Sequence, residues 1–145
     1  MDREMNKGMT LIELLIFMVI VSVMLGFAVL TYRDWRVKWS IESDAKDIYV
    51  FLQKARAMAF SQKKNLSVVA SGNQVCIREG STDIDCINLS NSFTGSISIT
   101  DRGIFSNSSI YYNGTANVNP QYSCVVSVVT RVRLGVYDGS NCNPK

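Results

Sequence analysis

The sequence predicts an α+β protein: a long N-terminal membrane-spanning α-helix, packed at its C-terminal half on an antiparallel β-sheet domain. Three observations predict it. Residues 9–30 form one apolar run. An apolar stripe at helical spacing then continues, and no proline or glycine interrupts residues 27–63. After Lys64 the apolar period changes to 2, and turn-forming residues punctuate the chain.

The run at 9–30 is 22 residues long, and only Thr10, Glu13 and Ser22 are polar within it. As a helix it would extend about 33 Å at ~1.5 Å per residue, enough to cross a hydrocarbon core of about 30 Å. A small domain has little means of surrounding such a helix on all sides, so a buried core helix is the weaker reading. It does not read as an ordinary secretory signal, because no small-residue cleavage site follows it. The cleavable feature precedes it, in Asn6-Lys7-Gly8-Met9. Glu13 is the informative residue. A carboxylate near the end of an apolar helix is costly in lipid, and an intramembrane ionisable group calls for a partner. A free amine at Met9, made by a cut after Gly8, is the natural one, from the same chain or a neighbour.

Charge alone does not orient the helix. Asp2, Arg3, Glu4 and Lys7 cancel before the run, while Arg33, Arg36 and Lys38 outweigh Asp34 after it. Taken alone, this bias would put the C-terminal side in the cytoplasm.

The stretch Lys7-Gly8-Met9-Thr10-Leu11-Ile12-Glu13-Leu14-Leu15 resembles the class III leader of type IV pilins and type II secretion pseudopilins. The resemblance implies that prepilin peptidase cuts after Gly8 on the cytoplasmic face. It also implies that Met9, which stands where the family usually has phenylalanine, is then N-methylated. Glu13, at the fifth mature position, would guide docking on neighbouring subunits. The implied organisation is a leader at 1–8, a transmembrane or filament-core half of the helix at 9–33, an amphipathic half at 34–64 and a β-rich globular domain at 65–145.

In the amphipathic half, Ile41, Ala45, Ile48, Leu52, Ala55 and Ala59 recur at spacings of three and four, marking one face of a helix that runs to about Gln62. Asp44, Lys46, Asp47, Lys54 and Arg56 fall between them, on the side expected to be solvated. A coiled coil is excluded because only about three heptads are present. Tyr32, Trp35 and Trp39 lie just past the apolar run, at the level of an interfacial aromatic belt or of a subunit contact.

The globular half reads as short strands at 66–69, 74–78, 86–89, 96–100, 109–112, 123–129 and 132–137. Turns are expected at Ser71-Gly72-Asn73, Asn113-Gly114 and Asp138-Gly139. A sheet against the helix stripe buries both apolar faces together. Cys76, Cys86, Cys124 and Cys142 allow three pairings. Cys76–Cys86 with Cys124–Cys142 is favoured because each closes a local loop. No C-x-x-C is present, so neither a zinc ribbon nor thioredoxin-like chemistry has support. Disulfides imply an oxidising compartment. That overrides the charge bias and puts the globular half outside the cytoplasm, with the N-terminus inside.

Composition removes other classes. Of 145 residues, 47% are hydrophobic and 19% charged, which is not a disordered composition. Histidine is absent, which removes Ser-His-Asp triads, Cys-His dyads and histidine-containing zinc sites. Asp83, Asp85, Asp101 and Asp138 fall in polar turn-like stretches and read as solvated loop residues. No phosphate loop, nucleophile motif or metal spacing stands out. The expectation is a protein that is not an enzyme and takes no cofactor and no metal.

Leu52-Gln53-Lys54-Ala55-Arg56-Ala57-Met58-Ala59 followed by a strand is similar to the FimT/GspH group of minor pilins, in which the helix ends in an alanine-arginine signature and leads into a β-rich domain. Arg131-Val132-Arg133 resembles the short arginine motif near the FimT carboxyl terminus, with Thr130 where that motif has glycine. In some FimT proteins this region is linked to DNA binding during natural transformation. The resemblance implies a minor pilin or pseudopilin that initiates or caps a type IV pilus or type II secretion pseudopilus. Its partners would be prepilin peptidase/methyltransferase, other pilins or pseudopilins bound through the N-terminal helix, and the inner membrane. The chain would be a single-pass inner-membrane protein with a cytoplasmic N-terminus and a periplasmic domain before assembly. The alternative is a minor pilin that binds double-stranded DNA through Arg131 and Arg133. Residues 102–145 carry four basic residues against Asp138, a net of +3, which fits weak, salt-sensitive phosphate binding.

Overall fold

The computed structural model describes residues 10–116 and 118–145, without the side chains of 27–31. Leu11–Gln62 is helical (α1). The chain divides into two compact units, Met1–Trp35 and Arg36–Lys145.

In the first unit, twelve large apolar side chains from Leu11 to Leu25 are 49–84% exposed. They occupy nearly every position, so no polar face exists to turn towards water. Ser22 donates its hydroxyl to the Met18 carbonyl at 2.8 Å, which satisfies the group within its own helix. Among the described residues no helix is long and apolar enough to cross a membrane. The run expected at 9–30 is described with its side chains only from Thr10 to Gly26.

The second unit packs the rest of α1 on a six-stranded sheet in the order β1-β2-β3-β4-β5-β6, with every neighbour antiparallel. The strands are β1 Leu66–Glu79, β2 Thr82–Ile99, β3 Ser108–Tyr112, β4 Cys124–Val128, β5 Arg131–Tyr137 and β6 Cys142–Pro144. The six stripe residues Ile41, Ala45, Ile48, Leu52, Ala55 and Ala59 are all at 0% exposure. They share one core with Val68, Ile77, Phe93, Ile97, Ile110 and Val125 from the sheet. The α+β expectation holds in this unit, with the sheet built as a meander.

One expected solvent-side residue is in fact buried. Asp44 is 5% exposed. Its carboxylate accepts hydrogen bonds from the backbone of Ser90 at 3.3 Å and Asn91 at 2.8 Å, and from the Asn91 side chain at 2.7 Å. These partners lie in an excursion of β2. Gly72 pairs with Phe93 and Gln74 with Asn88, so residues 89–92 have only Asn73 opposite them. Asn73 donates to the Ser90 carbonyl at 3.2 Å from the other side. The expected turn at Ser71-Gly72-Asn73 is therefore a bulge within one long strand, with Gly72 in the left-handed region at φ 66°. For the same reason the separate strands expected at 66–69 and 74–78 form one strand, as do those at 86–89 and 96–100. Beyond the bulge β1 and β2 continue as a two-stranded arm. Cys76 and Cys86 pair directly across it in a disulfide, and its ion pair joins Arg78 and Asp83.

The helix ends on Lys63, whose φ is 55°. Lys64 N donates to the Ala59 carbonyl at 3.2 Å, a Schellman closure without the usual glycine. Asn113-Gly114 opens a long connection to β4 rather than a tight hairpin.

Gly95, in β2, has φ 131°, a conformation essentially reserved for glycine. A Cβ there would run into the Ser109 carbonyl oxygen and lie 3.0 Å from the Ile110 Cα, both backbone atoms of β3. Gly95→Ala is expected to lower stability by about 2–5 kcal/mol, combining backbone strain with overpacking. Urea unfolding of the full chain in detergent, compared with wild type, measures it.

Candidate functional site

Two regions carry the residues singled out from the sequence. The first is the start of α1. Thr10 caps the helix: its Oγ1 accepts from Glu13 N at 3.3 Å, and its carbonyl accepts from Leu14 N at 3.2 Å. Glu13 therefore stands at the third helical position, where a carboxylate faces unpaired N–H groups and the positive end of the helix dipole. Thr10-Leu11-Ile12-Glu13 is a capping-box sequence, a local signal that the docking reading of Glu13 leaves out. It gives Glu13 a role of about 0.3–1 kcal/mol within its own helix. The side chain stays exposed. Gly8 and Met9, the expected cleavage and methylation residues, lie outside the described residues.

The second region is the β4–β5 hairpin. Strand alternation buries Val132 and exposes Arg131 and Arg133 on the sheet face away from α1. Val128 pairs with Arg131 and Val126 with Arg133. The tip is Val129-Thr130, and Val129 has φ 35°, an outlier for a β-branched residue. The surroundings hold it there. Phe105 N donates to the Val129 carbonyl at 2.8 Å, Val129 N donates to Asn107 Oδ1 at 3.3 Å, and Arg56 donates to the Thr130 carbonyl at 3.2 Å. The Arg56 guanidinium also lies 5.3 Å from the centre of the Phe105 ring. Arg56, which the sequence marks as part of a signature and as a solvent-side residue, thus braces the turn that presents the two arginines. No sequence rule marks Val129-Thr130 as a turn, because both residues favour strands.

The four cysteines form Cys76–Cys86 and Cys124–Cys142. Cys124 and Cys142 stand on β4 and β6, and their bridge spans the intervening β5 at Gly135. A Cβ on Gly135 would lie 3.1 Å from Cys142 Sγ and meet the Asn143 carbonyl oxygen. Cys76, Asp83 and Cys86 cluster closely enough to suggest a metal site. The two sulfurs are bonded to each other, however, and Asp83 is paired with Arg78. Of the other carboxylates, Asp85 binds Lys54 at 2.7 Å, and that hydrogen bond holds its carboxyl below the usual range.

Residues 3–29 match the family described as the prokaryotic N-terminal methylation motif. The chain carries that motif at its N-terminus. The match spans Lys7 to Leu15 and bears out the resemblance of those residues to the leader shared by type IV pilins and type II secretion pseudopilins. An uncharacterized protein of Haemophilus influenzae is 31% identical over 91 residues, which are 58% of this chain. The chain spans about half of that relative, 54% of its length. Two crystal structures of the type IV minor pilin FimU of Pseudomonas aeruginosa are also similar. One is 16% identical with a TM-score of 0.49, covering 74% of this chain and 96% of FimU. The other is 19% identical with a TM-score of 0.47, covering 70% and 95%.

Asp138 organises the far end of β5. Hydrogen bonds from Asn141 N, Ser140 N and the Asn143 side chain hold its carboxyl below the usual carboxylate range. A depressed folded-state pKa stabilises above the unfolded value and loses that stabilisation as pH falls through the folded one. The β5–β6 turn is therefore expected to be insensitive to pH near neutrality and to loosen only below the ordinary aspartate value of 3.8. Amide exchange at Asn141 and Asn143, followed by NMR from near neutrality into strong acid, tests this, and Asp138→Asn should remove the transition.

Proposed function

We propose that the chain is a minor pilin or pseudopilin, stored in the inner membrane by residues 9–33 and assembled into a filament of the type IV pilus or type II secretion class. The observation that carries this reading is the N-terminal methylation motif running directly into a helix with exposed apolar side chains all around it. Lipid solvates such a helix before assembly, and neighbouring helices replace the lipid afterwards. Prepilin peptidase cuts after Gly8, and Met9 becomes the N-methylated terminus. Its amine pairs with Glu13 of a neighbouring subunit. The disulfides fit a domain facing the periplasm. The organisation at 1–8, 9–33, 34–64 and 65–145 follows. A minor subunit of this kind initiates or caps the filament.

Intact mass and N-terminal sequencing of the membrane-extracted chain should give N-methyl-Met9 as the first residue. A chain still beginning at Met1 overturns the reading. Glu13→Gln keeps a capping-box side chain, since glutamine serves at that position, but removes the charge. Membrane levels should be unchanged while recovery in sheared filaments falls about tenfold or more, the effect of ~1.4 kcal/mol.

A second reading is supported by one observation: Arg131 and Arg133 are exposed side by side, and among the described residues neither forms an ion pair with a carboxylate. On this reading the domain also binds DNA through its phosphates. Affinity for a duplex should fall with salt, and Arg131→Ala with Arg133→Ala should flatten the log–log slope by about 2, one for each phosphate no longer neutralised. Anisotropy of a labelled duplex over a salt series measures it.

A further inference from the structure

The outer face of β3–β5 carries more than two arginines. Along β5, alternate positions place Arg131, Arg133, Gly135 and Tyr137 on one side of the strand. On β3, Tyr111 pairs with Cys124, which pairs with Gly135. Tyr111 therefore shares that side, and its ring stacks on Tyr137 with centroids 4.2 Å apart and planes 14° apart. The two rings are half-buried. Val128, at 53% exposure, stands beside Arg131. Val126, Val128, Pro144 and the two arginines line a shallow concavity of about 350 Å³. At about 3.4 Å per residue, the two guanidinium-bearing positions lie roughly 7 Å apart; Tyr111, level with Gly135, begins the tyrosine pair about 7 Å beyond Arg133, and Tyr137 lies about 14 Å beyond it.

This arrangement combines cations that form no ion pair among the described residues, an apolar hollow between them and the strand edge, and a stacked aromatic pair on the same face. A duplex uses only the first of these, because its bases are stacked on one another and its backbone faces out. An acidic peptide likewise has no use for flat aromatic surface. A polymer with regularly spaced negative charges and unpaired planar bases uses all three. We propose that the outer face of β3–β5 binds single-stranded nucleic acid. The phosphates lie on Arg131 and Arg133, one base fills the hollow over Val126 and Val128, and another stacks against the Tyr111–Tyr137 pair. This rests on the nucleic-acid reading of Arg131 and Arg133 and specifies the form of the polymer.

The test uses the full chain in detergent micelles. Labelled oligothymidine of about a dozen nucleotides, a mixed-sequence duplex with the same number of phosphates, and an oligoglutamate competitor are titrated at two salt concentrations. The single strand is expected to bind more tightly than the duplex. Tyr111→Leu is expected to weaken single-strand binding about tenfold, as loss of one base stack does, and to leave duplex binding unchanged. Arg131→Ala with Arg133→Ala weakens both. If single strand and duplex bind equally and Tyr111→Leu moves neither, the proposal fails while the DNA reading stands. If neither polymer binds even at low salt, both fail. Competition by oligoglutamate as effective as that by unlabelled oligothymidine also overturns the proposal and leaves a general anion surface. Should Tyr111→Leu not fold, the wild-type chain decides: a 2-aminopurine base within the oligonucleotide must be quenched on binding, and unchanged emission overturns the proposal.

Discussion

The helix stripe Ile41, Ala45, Ile48, Leu52, Ala55 and Ala59 is the surface against which the sheet is built, and half of it is alanine. Alanine at those positions lets the sheet backbone approach the helix closely and contributes helix propensity without losing side-chain entropy. The large side chains of the interface then come mainly from beyond the helix, with Phe93 of β2 at 0% and Phe105 of the β2–β3 connection at 3% exposure. Such a surface is intolerant of added volume, because a methylene inserted between helix and strand backbones must be absorbed by backbone shifts. Gly95 shows the same constraint within the sheet, where β3 backbone occupies the space a side chain would need.

Asp44 fixes where that packing changes character. A buried carboxylate is tolerated only when hydrogen bonds replace its water, and here three N–H groups from Ser90 and Asn91 do so. The helix thus grips the excursion at 89–92, and Asn73 grips it from the opposite strand. After the excursion, from Phe93, β2 belongs to the six-stranded sheet; before it, from Thr82 to Asn88, β2 has only β1 as partner. That is why the arm carries its own covalent and ionic ties: Cys76–Cys86, Arg78–Asp83 and Lys54–Asp85. A two-stranded ribbon is marginal in water unless something else holds it.

Much of this fold is legible in the sequence, and the exceptions share a cause. The helix stripe reads residue by residue because its period survives burial. The strands are visible, but their boundaries are not, since Ser71-Gly72-Asn73 has the composition of a turn and behaves as a bulge. Asp44 reads as solvated because its partners lie 46 and 47 positions away. Val129-Thr130 escapes notice for the opposite reason: its residues favour strands, and the turn is imposed by Arg56, Phe105 and Asn107. Local chemistry thus predicts elements well where the deciding contacts are local, and fails where a distant group decides. Arg131 and Arg133 are visible as a motif, but the shared face with Tyr111 and Tyr137 depends on strand register that no local pattern encodes.

Glu13 shows how one residue can satisfy a local and a distant demand without conflict. At the third position of a helix, a carboxylate is favoured by the helix itself. An apolar helix that starts with this group already has its N-terminal charge balanced within the first turn. The same carboxylate would be a liability deeper in the apolar run, where it would lack both the dipole and water. Placement at the capping position lowers the cost of keeping an acid next to twelve exposed apolar side chains. It also leaves the carboxylate at the end of the helix, where an incoming cation can reach it. The residue that looks most anomalous in the hydrophobic run is therefore the one whose position the helix geometry most readily explains. A partner amine adds to a site that the helix has already stabilised.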